Sequence, residues 1–551
     1  MPATTSGARA TGTGHRPVGE GSVVVAVDAG TTGVRALAVD HAGAVVDLAY
    51  RELTQHFPRP GWVEHDPVEI SGAVVATLGE VGTRLAASGR EVAAVGITNQ
   101  RETALAWDRR SGRPLHPAIV WQDRRTADHC RALEEAGHLP LVRDRTGLVL
   151  DPYFSATKYA WLLDEAGVGD GLAPGDLALG TVDSWVLWHL TGGTAGGVFA
   201  TDPTNAGRTL LFDTGELAWS EELCDLFGVP VGALAGVRPS CGRFGELRGS
   251  ALSPGDDRAA TAAARLLDGV PISGIAGDQQ AALFGQACFE PGMAKVTYGT
   301  GSFVLLQAGH SRPDAVDGLV TTVAWDLGDH GGPDGAVAYA LEGSAFASGA
   351  AIQWLRDGLG LIERAEETGP LAESVPDAGG ITLVPAFTGL GSPWWDPAAR
   401  GTVTGITRGT GRAQIARAVV EAMAFQVRDI VEAMTAAGAT IAALRADGGA
   451  AAMDLLLAVQ ADQIGVPVAR PRCVESTAVG AATLAGLAEG FWSSLDELAA
   501  LWVPDVERRP AGDRVLADLA YAAWRRAVDR SRSWVPTPRP TPAAGAPRPP
   551  G

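Results

Sequence analysis

An α/β protein with two similar domains flanking a central cleft is what the sequence predicts. Three observations carry that expectation. The chain has 551 residues, too many for one compact core, so two domains are expected. Strand-like and helix-like segments alternate, the order that builds a partly parallel sheet covered by helices. One device also occurs twice: a β run, a Gly/Thr turn and a second β run, first near residue 23 and again at 293–309.

The elements follow in order. "SVVVAVDAGTTGVRALAVDHAGAVV" reads as two apolar β runs around a turn, then a third run. "PVEISGAVVATLGEVGTRLAASG" is helix-like, and "VAAVGIT" is a strand. In the second half "MAKVTYGTGSFVLLQAG" repeats the hairpin and precedes helices and a strand in "IAALRADGGA". The repeat is one of pattern, not of residue identity. Two such units facing each other would set both turns at one cleft. The Pro-Gly break in "GQACFEPG" puts the boundary near 286–292, separating domains 22–287 and 288–535. Residues 1–21 are small and polar and 536–551 are proline-rich, so both tails are expected to be disordered.

Bulk properties exclude several classes of function. A net charge of −19 and a pI near 5.0 argue against nucleic acid or an anionic membrane as partner. A phosphate site must then be local, built from backbone N–H groups, a metal or a few arginines. Lys158 and Lys295 are the two lysines and neither follows a glycine, so no Walker A loop is present. The five cysteines form no CxxC pair and the ten histidines no HExxH pattern. Residues 1–21 lack the apolar stretch of a signal peptide, and no run approaches the ~20 apolar residues of a membrane span. The expected compartment is the cytoplasm.

Candidate chemistry gathers at strand ends. In "DAGTTG" (28–33) the glycines let backbone N–H groups approach an anion, and Thr31 and Thr32 add hydroxyls. Asp28 could hold Mg²⁺ through water, and Arg35 follows within reach of a phosphate. "YGTG" (298–301), with Gly299 and Thr300, reads the same way. Each turn alone is adequately explained as a plain hairpin; two in one chain suit a ligand with several phosphates. "DGGAAAMD" (447–454) is a third Gly-rich turn, either a simple strand-to-helix connection or a place where a flat base approaches the backbone. "GDQQAALFG" puts Asp278 where a strand gives way to a helix, as an N-cap worth ~1 kcal/mol and as a carboxylate able to take a hydroxyl proton. "TNQRE" places Asn99, Gln100, Arg101 and Glu102 after a strand, as a solvated loop or as a reader of hydroxyl groups. Trp121 and Tyr153 would supply an aromatic wall, although such residues taken alone are more often core.

Together these segments resemble one family, the FGGY carbohydrate kinases, from about residue 23 to about 530. "YFSATKYAWLLDE" (153–165) and "GTVTGITRGTGRAQIARAVVE" (401–421) fit its two signatures. "PGWVEHDP", "GITNQRET", "DPYFS", "SGIAGDQQAALFGQ" and "PAFTGLGSPWWDPAARG" are nearest the members that act on glycerol. The resemblance implies an actin/hexokinase-like (ribonuclease H-like) fold and ATP- and Mg²⁺-dependent phosphorylation of glycerol to sn-glycerol 3-phosphate. It also implies a homodimer or homotetramer. Asp278 would be the general base, and Arg101, Glu102, Tyr153, Asp278 and Gln279 would bind glycerol hydroxyls, with Trp121 and Phe303 on the apolar side. Thr31, Thr32, Arg35, Gly299, Thr300, Gly349, Gln353 and Gly449 would hold the nucleotide, and Asp28 and Asp278 the metal. Met453 stands where the family has an Asn against adenine, and Ala29 replaces a common Gln. Kinases of another polyol or sugar, such as xylulose or erythritol, and a nucleotide-dependent clamp are the competing readings. The segment 253–269 lacks the Gly-Gly-x-x-Arg type loop that binds fructose 1,6-bisphosphate in some members. Turnover is therefore expected to be unaffected by that sugar phosphate, and a clear loss of rate on adding it would refute the expectation.

Overall fold

The fold is seen in a computed structural model that describes residues 21–173, 175–252, 258–333 and 335–534. The two tails, Gly21 apart, and the start of the 253–269 segment lie outside the described residues.

Two mixed β-sheets organise the chain. The first contains β1 (Val23–Ala29), β2 (Gly33–Asp40), β3 (Val45–Glu52), β4 (Val92–Asn99), β5 (Cys241–Glu246) and β6 (Pro271–Gly277) in the order β5-β6-β4-β1-β2-β3. The second contains β7 (Met293–Tyr298), β8 (Ser302–Gly309), β9 (Val320–Asp326), β10 (Val337–Ala345), β11 (Ala443–Asp447), β12 (Val468–Pro471) and β13 (Pro504–Arg508), ordered β9-β10-β8-β7-β11-β12-β13. In the first sheet β1, β2 and β3 pair antiparallel, β1, β4 and β6 parallel, and β5 antiparallel at the edge. In the second, β7, β8 and β10 pair antiparallel, β7, β11 and β12 parallel, and β13 antiparallel at the edge. The two sheets match in strand position and direction, with β9 as an extra edge, but the antiparallel edge strand β5 precedes its neighbour β6 in the chain whereas β13 follows its neighbour β12. The repeated hairpin is thus a repeat of topology. The central strands are buried on both faces, which is why β1 and β6 read as continuous apolar or small runs without alternation.

Helices cover these sheets for local reasons. In α1 (Pro67–Ala87) the Asp66 side chain caps the Val68 N–H at 2.8 Å and Pro67 occupies the first turn, where its missing N–H costs nothing. Ile70, Val74, Leu78, Val81 and Leu85 form its buried stripe. The long helix α3 (Arg412–Ala436) packs in the second core.

Between the sheets lie α2 (Asp278–Gly285) and α4 (Ser476–Ala488), which share a core with Val24, Ala26 and Leu37 of the first sheet and Leu305 and Ala340 of the second. Although α4 comes late in the chain, it lies on the first sheet, and its close approach is made by glycine. A Cβ on Gly96 would lie 2.1 Å from the Ala481 carbonyl oxygen, and one on Gly274 2.5 Å from the Ala485 nitrogen. At the α2–α4 crossing, a Cβ on Gly285 would lie 2.0 Å from the Ser476 oxygen, and one on Gly480 1.8 Å from that of Ala281. Backbone meets backbone there, so no side-chain rotation relieves the overlap. Gly480→Ala is expected to lower stability by about 2–3 kcal/mol or more. Gly79→Ala, on α1 with nothing within 4 Å of its Cβ position, should raise it by about 0.5–1 kcal/mol. Urea unfolding of both variants checks the pair.

Candidate active site

Strand register brings the candidate residues together. Ala29, Asn99 and Gly277 are aligned partners at the carboxyl ends of β1, β4 and β6. The next residues, Gly30, Gln100 and Asp278, therefore emerge side by side at the end of an α/β sheet where ligands bind. Gly277 leaves room for its neighbour, since a Cβ there would lie 2.6 Å from Cγ of Arg101.

The run Asn99–Glu102 is buried, so the solvated-loop reading is wrong. Most of its polar groups are paired inside the protein, Asn99 Oδ1 and Arg101 Nε excepted. Asn99 donates to Asn205 at 2.9 Å and Gln100 to the Gly30 carbonyl at 3.1 Å, while Gln100 accepts from Thr103 at 2.9 Å. Glu102 has φ +62°, and the Thr103 N–H bonds the Arg101 carbonyl across it at 2.8 Å. This is a γ-turn in the left-handed region, a costly conformation for a non-glycine residue and one concentrated at functional sites.

Beneath Asp278 sits a group of four buried charges. The Glu342 carboxylate accepts from both η nitrogens of Arg101, at 2.7 and 2.8 Å, and from Nη2 of Arg208 at 3.1 Å. Arg208 Nε donates to Glu102 Oε1 at 2.6 Å. Tyr153 Oη lies 3.4 Å from Arg101 Nη2. Burial alone would raise the Glu342 carboxyl, yet Arg101 and Arg208 hold it at about 2. Burial lifts Glu102 above the usual carboxylate range against the pull of Arg101 and Arg208. Arg101 Nε makes no hydrogen bond and lies 3.3 Å from Asp278 Oδ1.

Asp278 is not the N-cap expected. Gly277 takes that place, and Asp278 is the first helical residue, its Oδ1 accepting from the Gln279 N–H at 2.8 Å. The helix thus begins one residue earlier than expected, directly after the strand ends at Gly277. Its side chain is 28% exposed; burial of its surroundings raises its pKa, and Arg101 and Lys295 draw it back. Gln279 accepts from Lys295 Nζ. Trp121 packs edge-on against Tyr153, centroids 5.6 Å apart, and against Phe303 at 6.3 Å, and its indole N–H donates to Thr31 Oγ1 at 2.9 Å. These aromatic residues share a cavity of about 990 Å³ with Trp62, Phe346 and Trp395, which makes the approach largely apolar.

The second hairpin turn is braced by the segment 348–350. The N–H groups of Ser348 and Ala350 bond the Thr300 carbonyl at 2.8 and 3.1 Å, and that of Gly349 the Gly299 carbonyl at 2.9 Å. A Cβ on Gly349 would lie 2.7 Å from that oxygen. Gln353 ends the same short helix and is exposed, as are Thr32 and Thr300. Gly448 abuts Tyr298, which brings Gly449 near the second turn, whereas half-buried Met453 packs toward Gly369.

Arg35 already has partners: it pairs with Glu475, just before α4, and stands 3.7 Å from Asp28. Burial lifts Asp28 to about 7 against Arg35, with Asp278 and Glu475 adding to the rise. A buried acid whose ionisation is opposed by a neighbouring carboxylate suits a divalent cation, which would favour its charged form.

Sequence reasoning missed Arg208, Glu342 and both lysines. Glu342 had a signal, a lone acid in the apolar strand "VAYALEGSA". Lys158 and Lys295 are fully buried. Lys158 donates to the Pro152 and Tyr153 carbonyls at 3.3 and 2.7 Å and so fixes the loop that carries Tyr153. Burial lowers Lys158 to about 7 and Lys295 to about 8.

Twin sheets with paired hairpin turns and a buried acid at the cleft define the two-lobed kinases of actin/hexokinase-like fold. Residues 23–285 match the N-terminal domain, and 294–489 the C-terminal domain, of the FGGY family of carbohydrate kinases. The chain belongs to that family. It is 52% identical over 495 residues to a glycerol kinase of Trichlorobacter lovleyi, covering 90% of this chain and 95% of the relative. Among solved structures it resembles Plasmodium falciparum glycerol kinase with ADP, with TM-score 0.82, 32% identity and coverage of 93% of this chain and 98% of the other. A ligand-bound xylulose kinase of Lactobacillus acidophilus shares the fold at TM-score 0.77 and 19% identity, over 93% and 97% of the two chains.

An acid whose pKa is raised by folding binds a proton more tightly in the native state. Asp28 therefore costs no stability below about pH 4, a growing amount as pH rises through its folded pKa of about 7, and a constant amount above that. In the ligand-free protein Asp28→Asn should raise the melting temperature more at pH 8 than at pH 5. An equal shift at both would remove Asp28 from this account.

Proposed function

We propose that the protein transfers the γ-phosphoryl group of ATP to glycerol, giving sn-glycerol 3-phosphate, with Asp278 as general base. The observation that carries this reading is the free Arg101 Nε–H facing the Asp278 carboxylate at 3.3 Å, beside Glu102 and Tyr153. One small polyol placed there could meet donors and acceptors at adjacent hydroxyls while Trp121 and Phe303 cover its carbon edge. The identity of about 50% to relatives named glycerol kinase supports the choice of polyol.

Asp278 would orient the terminal hydroxyl and take its proton as the oxygen attacks phosphorus; burial makes it more basic than a solvated aspartate. The turns at 30–32 and 299–301 would grip the phosphates from opposite sheets. Gly349, Gln353 and Gly449 would hold the rest of the nucleotide, with Met453 near the base. Asp28 and Asp278 would hold Mg²⁺, which when bound neutralises phosphate charge. Arg35 could serve the phosphates only by leaving Glu475. Gln279, fixed by Lys295, would complete the hydroxyl-binding set. A polyol lacking a hydroxyl leaves buried partners unpaired, a penalty that can reach about 10⁴-fold in kcat/KM.

Among the described residues no helix is long and apolar enough to cross a membrane. We place the enzyme in the cytoplasm as a homodimer or homotetramer. Release of ADP on adding glycerol, set against xylulose, erythritol and no acceptor, is expected to favour glycerol clearly; equal hydrolysis without acceptor would favour a clamp. Asp278→Asn should reduce turnover by at least about 10³-fold and leave ATP binding, followed by calorimetry, nearly intact.

A further inference from the structure

Arg208 and Glu342 belong to none of the motifs that suggest a polyol kinase, yet they contact two of the residues that would read the polyol, Arg101 and Glu102. We propose that they are positioning residues for polyol recognition: Glu342 fixes the plane of Arg101, and Arg208 holds Glu102 as a carboxylate that accepts a substrate hydroxyl. This inference rests on the reading above that Arg101 and Glu102 meet the substrate.

The four η N–H groups of Arg101 are all directed. Nη1 serves Glu342 and Gln280, at 2.7 and 3.0 Å, and Nη2 serves Glu342 and Tyr153, at 2.8 and 3.4 Å. What remains is Nε–H, buried, unbonded and facing Asp278. A guanidinium is flat, so a two-armed carboxylate on its η edge also sets where the ε edge points. Glu342 belongs to β10 of the second sheet, whereas Arg101 follows β4 of the first. The aim of the substrate-facing N–H is therefore set from across the cleft.

Arg208 plays the matching part for Glu102. Its Nε bonds Oε1 at 2.6 Å, and among the described residues no donor bonds Oε2. The charged or titratable groups around Glu102 are Arg101, Arg208, Glu342, Tyr153 and Lys158. Removing Arg208 leaves two carboxylates and one guanidinium in a dry site. Glu102 then gains a proton more readily and ceases to be a pure acceptor.

The test is steady-state kinetics of the full chain with glycerol and ATP, for the wild type, Arg208→Gln, Arg208→Lys and Glu342→Gln. KM for glycerol should rise about 10- to 100-fold in the two Gln variants, the loss of one or two charged hydrogen bonds, with KM for ATP within about twofold. Arg208→Lys should recover part of the loss. In Arg208→Gln, kcat/KM for glycerol should climb between pH 6 and 8 more steeply than in the wild type, because higher pH restores the Glu102 carboxylate. An unchanged glycerol KM, a parallel rise in both KM values, or a pH profile like that of the wild type overturns the proposal. If Arg208→Gln shows no cooperative unfolding, Glu342→Gln and Arg208→Lys carry the same comparison of KM values. A wild type that ignores glycerol sinks the substrate reading and this inference with it, whereas an active wild type with indifferent variants sinks this inference alone.

Discussion

One carboxylate, Glu342, holds the floor of the cleft together. It is fully buried and faces two arginines that are also buried. Charges taken out of water in this way are tolerated only when each finds a well-placed partner, because desolvation costs several kcal/mol per ion. The partners here come from separate parts of the chain: Arg101 and Glu102 after β4, Arg208 after a short helix at 203–206, and Glu342 in the second sheet. The bond between Arg208 and Glu102 lies within the first half of the chain, but Arg101 and Glu342 meet only when both sheets are in place. The charge group is thus a condition on the whole fold, and it sits where a substrate would need fixed hydrogen-bonding groups.

Local geometry serves that condition. Glycine at 277 gives Arg101 space to lie across the end of β6, and the γ-turn at Glu102 brings its carboxylate back toward Arg208. Strain at such a residue persists only when its surroundings over-determine it, and the bonds from Arg208 to its side chain and from Ser155 to its carbonyl do so. Both lysines serve the same economy. Each is buried without a carboxylate in hydrogen-bonding contact, donates to neutral oxygens and steadies a residue of the site.

Much of this was legible in the sequence. The two hairpins announced themselves through apolar runs around Gly/Thr turns, and the acid at the end of β6 stood out against small neighbours. The polar run Asn99–Glu102 was ambiguous because its composition fits water as well as a buried site; only contacts with distant residues such as Asn205 and Glu342 decide the matter. The N-cap assignment failed by one residue because Gly277 and Asp278 are both good caps and local pattern does not separate them. Arg208 carried no local signal and Glu342 only that of a lone acid in an apolar strand, because the significance of both lies in pairings more than 100 residues apart in sequence. The rarity of lysine excludes a Walker A loop, and the two lysines present are both interior.

The glycine contacts of α4 bear on movement. Where two elements touch through side chains, one can slip past the other as rotamers change. At Gly285 and Gly480 no side chain intervenes, and the carbonyl of each partner fills the notch in the other. Translation along that seam would drive backbone atoms together at once, whereas a small rotation about the point of contact keeps them apart. Sliding of α2 along α4 is thereby blocked by backbone atoms, and the seam admits only rotation about the point of contact.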